Sequence, residues 1–488
     1  MNVWIVNPFD SLPCEGHRPL RYWLMAEAFV RAGHRVAYWT ADFNHVTKRP
    51  RSLGTLPPDG GDTPHTNCGD TPHALGTLPP GGGDTPYTNC GDTPHAGIEI
   101  IAVHEPFYEK NISLRRLLAH WRWARNWSIA ARQRCGDTPH AGGDTPCKIS
   151  GDSPCAVGDT PPAPDVIIVS SPPLYIGREV RKFAKRVNAK VVVDVMDAWP
   201  ETFERVVPRW VLWPLRRLVR ANYLGADAIT VVADEYVDLL KKYGVSCEIS
   251  RFYHGISLGT VPAARVGTVP KCGGSVPIKS PGCGGSVPMK STGCGGSVPV
   301  KIVYAGNLGR TYDLKTAIEA VGLLEGVSLE IAGRGDCEDE LRRFAEDPLF
   351  AGKVVFKGYL GEDGLAGFLA SGDIGLVPMS PDSRVGVPYK LADYARAGLA
   401  VASSLGGESD RLLARYGAGV SYRAGDPQSL AGAVRRLIPG LAAAKAASRR
   451  LAEAEFDAAR IYGDYVAFAS AVAGAGQIPI DVPRGDMI

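Results

Sequence analysis

At 488 residues, with 45% hydrophobic and 22% charged residues, the chain is long enough for two domains with sizeable cores. A net charge of +3 over that length is close to neutral and gives no sign of a nucleic-acid binder. The N-terminal MNVWIVNPFD lacks the basic and then apolar pattern of a secretory signal, and no apolar run is long enough for a spanning helix, so a cytoplasmic protein is expected.

VWIV (3–6) reads as a short buried strand. Pro19 then opens a helix with Leu20, Trp23, Leu24 and Ala28 on one face and Gly33 as its stop. RVAYWTA (35–41) is the next strand. A first Gly- and Pro-rich block follows near 53–96, in which one unit starts at Gly54 and again at Gly76, a period of 22. IEIIAV (98–103) is a strand, and a basic helix covers 113–134. A second block near 135–161 strings together CGDTPHAG, GDTPCKIS, GDSPCAV and GDTPP. Strands DVIIVSS (165–171), KVVVDVMD (190–197) and DAITVVA (227–233) then alternate with helices at 176–188, 208–224 and 234–243. A third block near 259–299 repeats CGGSVP, with Cys272, Cys283 and Cys294 spaced by 11. A second series has strands at 301–307, 328–333, 353–358, 374–379 and 400–404, and helices at 314–324, 336–346, 362–371 and 389–397.

The three blocks lack large apolar residues and are expected to be exposed, largely disordered loops rather than a solenoid. Eight of the 11 cysteines lie in them without paired zinc-finger spacing, so duplication of one unit explains them better than a disulfide framework or a metal site. Cys14, Cys247 and Cys337 remain, which suits a reducing compartment. Alternating apolar strands and helices mean parallel sheets covered on both faces. The fold class is α/β, with two Rossmann-like domains facing across a cleft and three low-complexity repeat insertions in loops. The expected division is an N-terminal domain over 1–258, a repeat-rich linker over 259–299, a C-terminal domain over 300–470 and a flexible tail over 471–488.

The first strand runs into NPFDSLPCEGHRP, without the G-x-G-x-x-G of a dinucleotide enzyme. The second series is more informative. AGNLGRTYDL places Gly306, Asn307, Gly309 and Arg310 between a strand and a helix, where backbone N–H groups can approach an anion. IAGRGDCEDEL repeats the arrangement at Gly333, Arg334 and Gly335. In SRVGVPYKLADYARAG, Gly386 and Pro388 lead into a short helix with Lys390 in its first turn and Asp393 three residues on. A phosphate there would gain from free N–H groups, the helix dipole and the Lys charge, and the carboxylate can accept from ribose hydroxyls. A solvated Lys and Asp on an amphipathic helix is the plainer alternative.

Together these segments resemble the retaining glycosyltransferases of family 4, of GT-B fold. FKGYLGEDGLAGFLASGDIGLVPM resembles the family's base-binding strand and loop, which implies donor contacts at Gly358 and Tyr359. SSLGGESDRLL and GAGVSYRAGDPQSLAGAVRRLI resemble its ending. SSPPLYIG, VVDVMDAWPETF and ADAITVVADEYVDLL resemble the subgroup that builds cell-surface polysaccharide and transfers acetamido sugars. The family's Glu-x7-Glu signature departs here, with Asp393 in place of the second Glu and Val385 in place of the first. Asn307 and Tyr312 stand where its phosphate-binding basic pair would be, and Cys14 replaces a Gly. The resemblance implies a metal-free reaction needing no cofactor beyond a nucleotide-sugar co-substrate. Lys390 and Arg310 would stabilise the departing diphosphate, Asp197 would act near the acceptor, and Leu391 and Asp393 would complete the donor site. Trp199 and Glu201 after one strand, and Glu15, Gly16, His17 and Arg18 after the first, are the implied acceptor side.

The helix 113–134 carries six arginines and no acid. Leu114, Leu117, Leu118, Trp121 and Ile129 share a broad face, with Trp123 and Trp127 towards its sides. Such a mix suits peripheral contact with an anionic membrane and a glycan or lipid-linked acceptor. An internal helix packed on the sheet is the alternative. Two other functions remain open at this stage: a sugar-nucleotide 2-epimerase of the same fold, and an inactive binding protein.

Overall fold

The computed structural model of the protein describes residues 1–15, 18–51, 87–89, 97–109, 113–136, 161–204, 207–257, 299–381 and 383–474. The second and third repeat blocks lie almost entirely outside them, as do the linker and most of the tail. The chain divides into two compact units. One holds Met1–Ile256, Arg384–Val387 and the chain from Ala458; the other holds Ser257–Ser383 and Pro388–Asp457.

In the first unit the parallel strands are β1 (Asn2–Val6), β2 (Arg35–Ala41), β6 (Ile98–Val103), β7 (Val166–Ser171), β8 (Lys190–Val195), β9 (Ala228–Val231) and β10 (Glu248–Arg251). A short antiparallel ribbon, β3 (Phe43–Asn44) with β4 (Arg49–Pro50), follows β2. β5 (Tyr87–Asn89) pairs antiparallel with β6. The sheet order is β10-β9-β8-β7-β1-β2-β6-β5. Most strands are apolar on both faces because helices cover both. These helices are α1 (Arg21–Arg31), α2 (Leu114–Arg134), α3 (Ile176–Val187), α4 (Arg209–Leu224) and α5 (Asp234–Lys242).

Two expectations change here. β5 lies inside the first repeat block, so that block is not wholly a loop: Tyr87–Asn89 adds an edge strand to the sheet. On α2, Trp123 and Trp127 are fully buried, whereas Leu114 is 84% exposed and Trp121 43% exposed. The helix has apolar residues all round, and its packed face is set by Ala119, Ala124, Ala130 and Ala131. These small side chains let it approach the sheet while the two indoles fill the space. Trp127 meets Trp39 at 5.8 Å and Phe183 at 5.8 Å between ring centroids, and Trp4 stacks on Phe183 at 5.2 Å.

The second unit contains β11 (Val300–Ala305), α6 (Leu314–Gly322), β12 (Val327–Ala332), α7 (Glu338–Ala345), β13 (Val354–Gly358), α8 (Glu362–Ala370), β14 (Ile374–Val377), α9 (Tyr389–Ala397), β15 (Ala400–Ser403), α10 (Gly407–Tyr416), β16 (Gly419–Ser421), α11 (Pro427–Leu437) and α12 (Leu441–Glu455). Its sheet is parallel in the order β13-β12-β11-β14-β15-β16. Asp313 caps α6 and Asp426 caps α11, where Pro427 takes the first helical position. The last helix, α13 (Ala458–Val472), belongs to the first unit, so the second ends at Asp457 rather than near 470. Its start is fixed by the Ala458 N–H donating to the Ile256 carbonyl at 3.1 Å.

The first unit is tied together by an ion pair with no solvent access on either side chain. The Arg21 guanidinium on α1 donates to both oxygens of Asp194 on β8, at 2.8 and 2.9 Å. Its remaining Nη1 reaches the carbonyls of Phe252 and Tyr253 at 2.9 Å each. Thr230 on β9 donates to Asp194 at 2.6 Å and also meets the Tyr465 hydroxyl of α13 at 3.1 Å. Burial alone would raise the Asp194 pKa, but the charge and hydrogen bonds of Arg21, with Thr230, outweigh it and hold the carboxyl below its ordinary value. Removing one partner strands a buried charge, so Arg21→Met or Asp194→Leu alone is expected to cost about 3–5 kcal/mol in denaturant melts, and the double variant much less. The unfolded chain has the higher Asp194 pKa and takes up the proton first as pH falls. The pair's contribution is therefore complete above roughly pH 5 and is lost as acid passes the folded-state value, an acid slope that Asp194→Asn should remove.

Candidate functional site

In open parallel sheets, ligands bind beyond the carboxyl ends of the strands, where the strand order reverses. In the second unit the reversal falls between β11 and β14. The loop after β11 is Gly306–Arg310, in which Asn307 and Arg310 are exposed. Gly306 has φ +146° and Gly333 has φ +139°, a region closed to most side chains. A Cβ on Gly306 would stand 2.4 Å from Lys390 Nζ, so the Lys390 chain lies directly over this loop. A Cβ on Gly333 would meet the Gly306 carbonyl at 1.8 Å. The two glycines thus let consecutive loops nest, and the Leu308 N–H donates to the Arg334 carbonyl at 2.9 Å. Arg334 itself is exposed.

Lys390 Nζ stands 4.0 Å from the Tyr312 ring centroid and 5.2 Å from that of Tyr304. Such contacts hold an ammonium without neutralising it. Tyr304 donates to the Asn307 carbonyl at 2.6 Å, which fixes the loop below. Tyr312 occupies the place where the sequence comparison expected a basic residue, and its ring is the platform of Lys390. Asp393 is buried at 8% exposure one turn further along α9. Leu391 is a core residue at 1% exposure, so only its backbone is left to face a ligand. Gly358 has φ +69° with open space beside it, and Tyr359 is 61% exposed. Gly309 lies against the Asn307 side chain. Gly386 is grouped with the first unit, where an added Cβ would stand 2.2 Å from Ala233 Cβ. Close packing explains that glycine.

In the first unit the reversal falls between β1 and β7. Gly16 and His17 lie outside the described residues, and Arg18 follows them, partly buried. The Glu15 carboxylate is taken up locally by the Leu12 N–H at 2.7 Å, by Asn44 at 2.8 Å and by Arg51. Glu201 is engaged by Arg216 at 3.3 Å and by the Tyr243 hydroxyl. Asp197 keeps solvent-accessible surface, yet the protein around it raises its pKa by desolvation, with Arg116 opposing. Trp199 is 9% exposed and lies beneath Arg116, whose guanidinium carbon is 4.9 Å from its ring centroid.

This surrounding group went unseen in the sequence. Glu105, after β6, and His120, on α2, are 3% and 1% exposed. Glu105 Oε2 lies 3.1 Å from His45 Nε2, and Arg116 Nε donates to His120 Nε2 at 3.3 Å. His45 Nδ1 contacts the Tyr108 hydroxyl. Burial pushes the Glu105 carboxyl up to about 8, against the nearby charge of Arg116. Burial, followed by the surrounding cations, lowers His45 and His120 well below the ordinary imidazole value. At neutral pH all three are therefore largely uncharged, and the positive charge resides on Arg116 and Lys48. Among the described residues, no group of three His, Cys, Asp or Glu is placed to hold a metal ion.

Two open parallel α/β units, each with its loops gathered at a reversal in strand order, give the chain the GT-B fold of glycosyltransferases. Residues 299–439 match the family described as glycosyl transferases group 1, which places that domain in the second unit. Sucrose-phosphate synthase from Thermosynechococcus elongatus is similar with a TM-score of 0.63 and 12% identity, over 97% of this chain and 100% of that one. Anabaena HepE in complex with UDP and glucose gives 0.56 and 11%, over 96% and 100%. WaaG, a glycosyltransferase involved in lipopolysaccharide biosynthesis, gives 0.55 and 14%, over 97% and 100%. At such identities the likeness is one of fold. No curated protein matches the sequence.

The nested loops make a stability test. Gly358→Ala meets no atom and is expected to cost about 1–2 kcal/mol for its left-handed backbone. Gly333→Ala adds a clash with backbone and should cost clearly more, as thermal or denaturant melts of the two variants will show.

Proposed function

We propose that the chain is a retaining glycosyltransferase. It moves a hexosyl or acetamidohexosyl group from a nucleotide-sugar donor to a glycan or lipid-linked acceptor in cell-surface polysaccharide synthesis. The observation that carries this reading is the Lys390 ammonium held over Gly306 at the strand-order reversal, within the stretch that matches a glycosyltransferase family. Of the structural neighbours, HepE is described in complex with UDP and with UDP-glucose, which supports a nucleoside-diphosphate sugar as the donor.

In this reaction the bond from the sugar's anomeric carbon to the diphosphate oxygen breaks. A bond forms from the same carbon, on the same face, to the acceptor hydroxyl oxygen. The hydroxyl proton passes to the departing phosphate. No metal is assigned a part; Lys390, Arg310 and the loop N–H groups take up the charge that grows on the diphosphate. Asp393 accepts from the donor's ribose. The first unit is assigned the acceptor, with Asp197 and Trp199 as its contacts.

Asp393→Ala is expected to weaken binding of a nucleoside diphosphate about tenfold, as loss of a charge-assisted hydrogen bond implies. Lys390→Ala is expected to lower kcat more than affinity. Titration calorimetry, with mass spectrometry of a nucleotide-sugar panel incubated with membrane extract, measures both. Unchanged binding and turnover in the two variants would sink the assignment, and conversion of the nucleotide sugar alone would indicate an epimerase.

A place at the cytoplasmic face of an anionic membrane extends the proposal. No described helix is long and apolar enough to cross a membrane. The outer face of α2 nevertheless exposes Leu114, Leu118, Trp121 and Ile129 alongside Arg115, Arg122 and Arg125. On α4, Trp210 is 78% and Trp213 56% exposed. Each basic residue near an anionic surface contributes about 1 kcal/mol. Sedimentation with anionic vesicles at low salt should retain the protein, and neutral vesicles or high salt should release it. Retention that is absent on anionic vesicles at low salt, or indifferent to lipid charge, would sink this placement, and its absence would point to a soluble acceptor.

A further inference from the structure

We propose that the first unit holds a phosphoryl group between Arg116 and Lys48, over the rings of Tyr108 and Trp199. The proposal rests on the transferase reading only in making that group part of the acceptor.

The two cations come from separate segments and meet on one ring. Lys48 Nζ is 4.6 Å from the Tyr108 centroid, and the Arg116 guanidinium carbon is 5.7 Å from it. Arg116 also lies over Phe9 at 5.6 Å. Phe9, Lys48, Tyr108 and Trp199 follow β1, β2, β6 and β8, so the group gathers at the carboxyl edge of the sheet. Lys48 has φ +57°, a conformation unfavourable for a residue with a side chain. It is fixed by its N–H donating to the Asn44 carbonyl at 2.9 Å, while the Asn44 side chain accepts from Val46 and Thr47. Local strain is thus accepted where it keeps a second cation near the first.

Like charges repel, and the Lys48 pKa is lowered by burial and then by Arg116. Of the nearby carboxylates, Glu105 opposes this lowering at Lys48. Asp42 is occupied by His104 and by the Glu105 N–H, both at 2.8 Å. Glu105 is largely protonated at neutral pH. Asp197 is the remaining acid that Arg116 stabilises. Glu105 Oε1 and His120 Nδ1 have no hydrogen-bond partner among the described residues, and Glu105 Oε2 has only the 3.1 Å approach of His45 Nε2. Buried polar atoms of that kind occur at sites that take up a polar ligand. A planar guanidinium and an ammonium suit the several oxygens of one phosphoryl group.

The full chain is titrated with glycerol 3-phosphate and with glycerol, with UDP present to fill the second unit. The phosphate ester should bind and glycerol should not. Lys48→Gln and Arg116→Gln should each weaken that binding about tenfold, as expected for a charge-assisted contact, and leave UDP affinity unchanged. Equal binding of the ester to wild type and Lys48→Gln, or no preference for it over glycerol, overturns the proposal. Absence of UDP binding with the ester still bound would sink the transferase reading and leave this site standing. Neutral vesicles with and without a polyprenyl phosphate separate the sources. Retention that depends on the lipid phosphate and on Lys48 assigns a lipid headgroup; ester binding without it assigns a soluble phosphate.

Discussion

The first unit is organised around one ion pair that is never exposed to water. Arg21 takes two carboxylate oxygens and two backbone carbonyls, and Asp194 takes the guanidinium and the Thr230 hydroxyl. Each partner is affordable in the interior only because the other is there. The geometry fixes α1 against β8 and sets the chain leaving β10. It thereby determines where the loops after β1 and β8 emerge, and both carry residues proposed for the acceptor side. His254, beside this pair, is held neutral by burial, which pushes its pKa down to about 3.

The second unit uses a different device. Among the described residues, no carboxylate pairs with the Lys390 ammonium there. Instead, two glycines in an unusual backbone region bring loop onto loop, and an ammonium rests on two phenol rings. Rings hold a cation while leaving its charge available to a ligand, whereas a carboxylate would consume it. This accounts for Tyr312 at a position where a basic residue was expected: it supports the charge of Lys390 instead of adding another.

What the sequence made legible was local. Strands such as VIIVSS and VVVDV are apolar on both faces, and only a covered parallel sheet accommodates them. Gly306, Gly333 and Lys390 stood out because each sits in a short loop or at a helix start whose chemistry is visible within a few residues. Trp123 and Trp127 were misplaced because α2 is apolar on several sides, and periodicity does not say which side meets a sheet. β5 is three residues in a Gly- and Pro-rich repeat, too short to leave a pattern. The His45, Glu105, Arg116 and His120 group was invisible because its members come from separate segments and share only a position in space. Gly386 has the composition of an anion loop, but it packs against Ala233.

The return of α13 to the first unit bears on the order in which the protein can be completed. The Tyr465 hydroxyl reaches Thr230, and the Phe252 ring lies 4.9 Å from that of Tyr465 and 5.7 Å from that of Phe468. A ribosome delivers those aromatic residues only after the whole second unit has left it. The second unit is closed by its own contiguous chain and has all its strands and helices by Asp457, except for the short segment Arg384–Val387 that belongs to the first. The first unit is therefore finished only after the second. Until then its core lacks one wall, and the apolar surface around Phe252 must be kept from other chains while the rest of the protein is made.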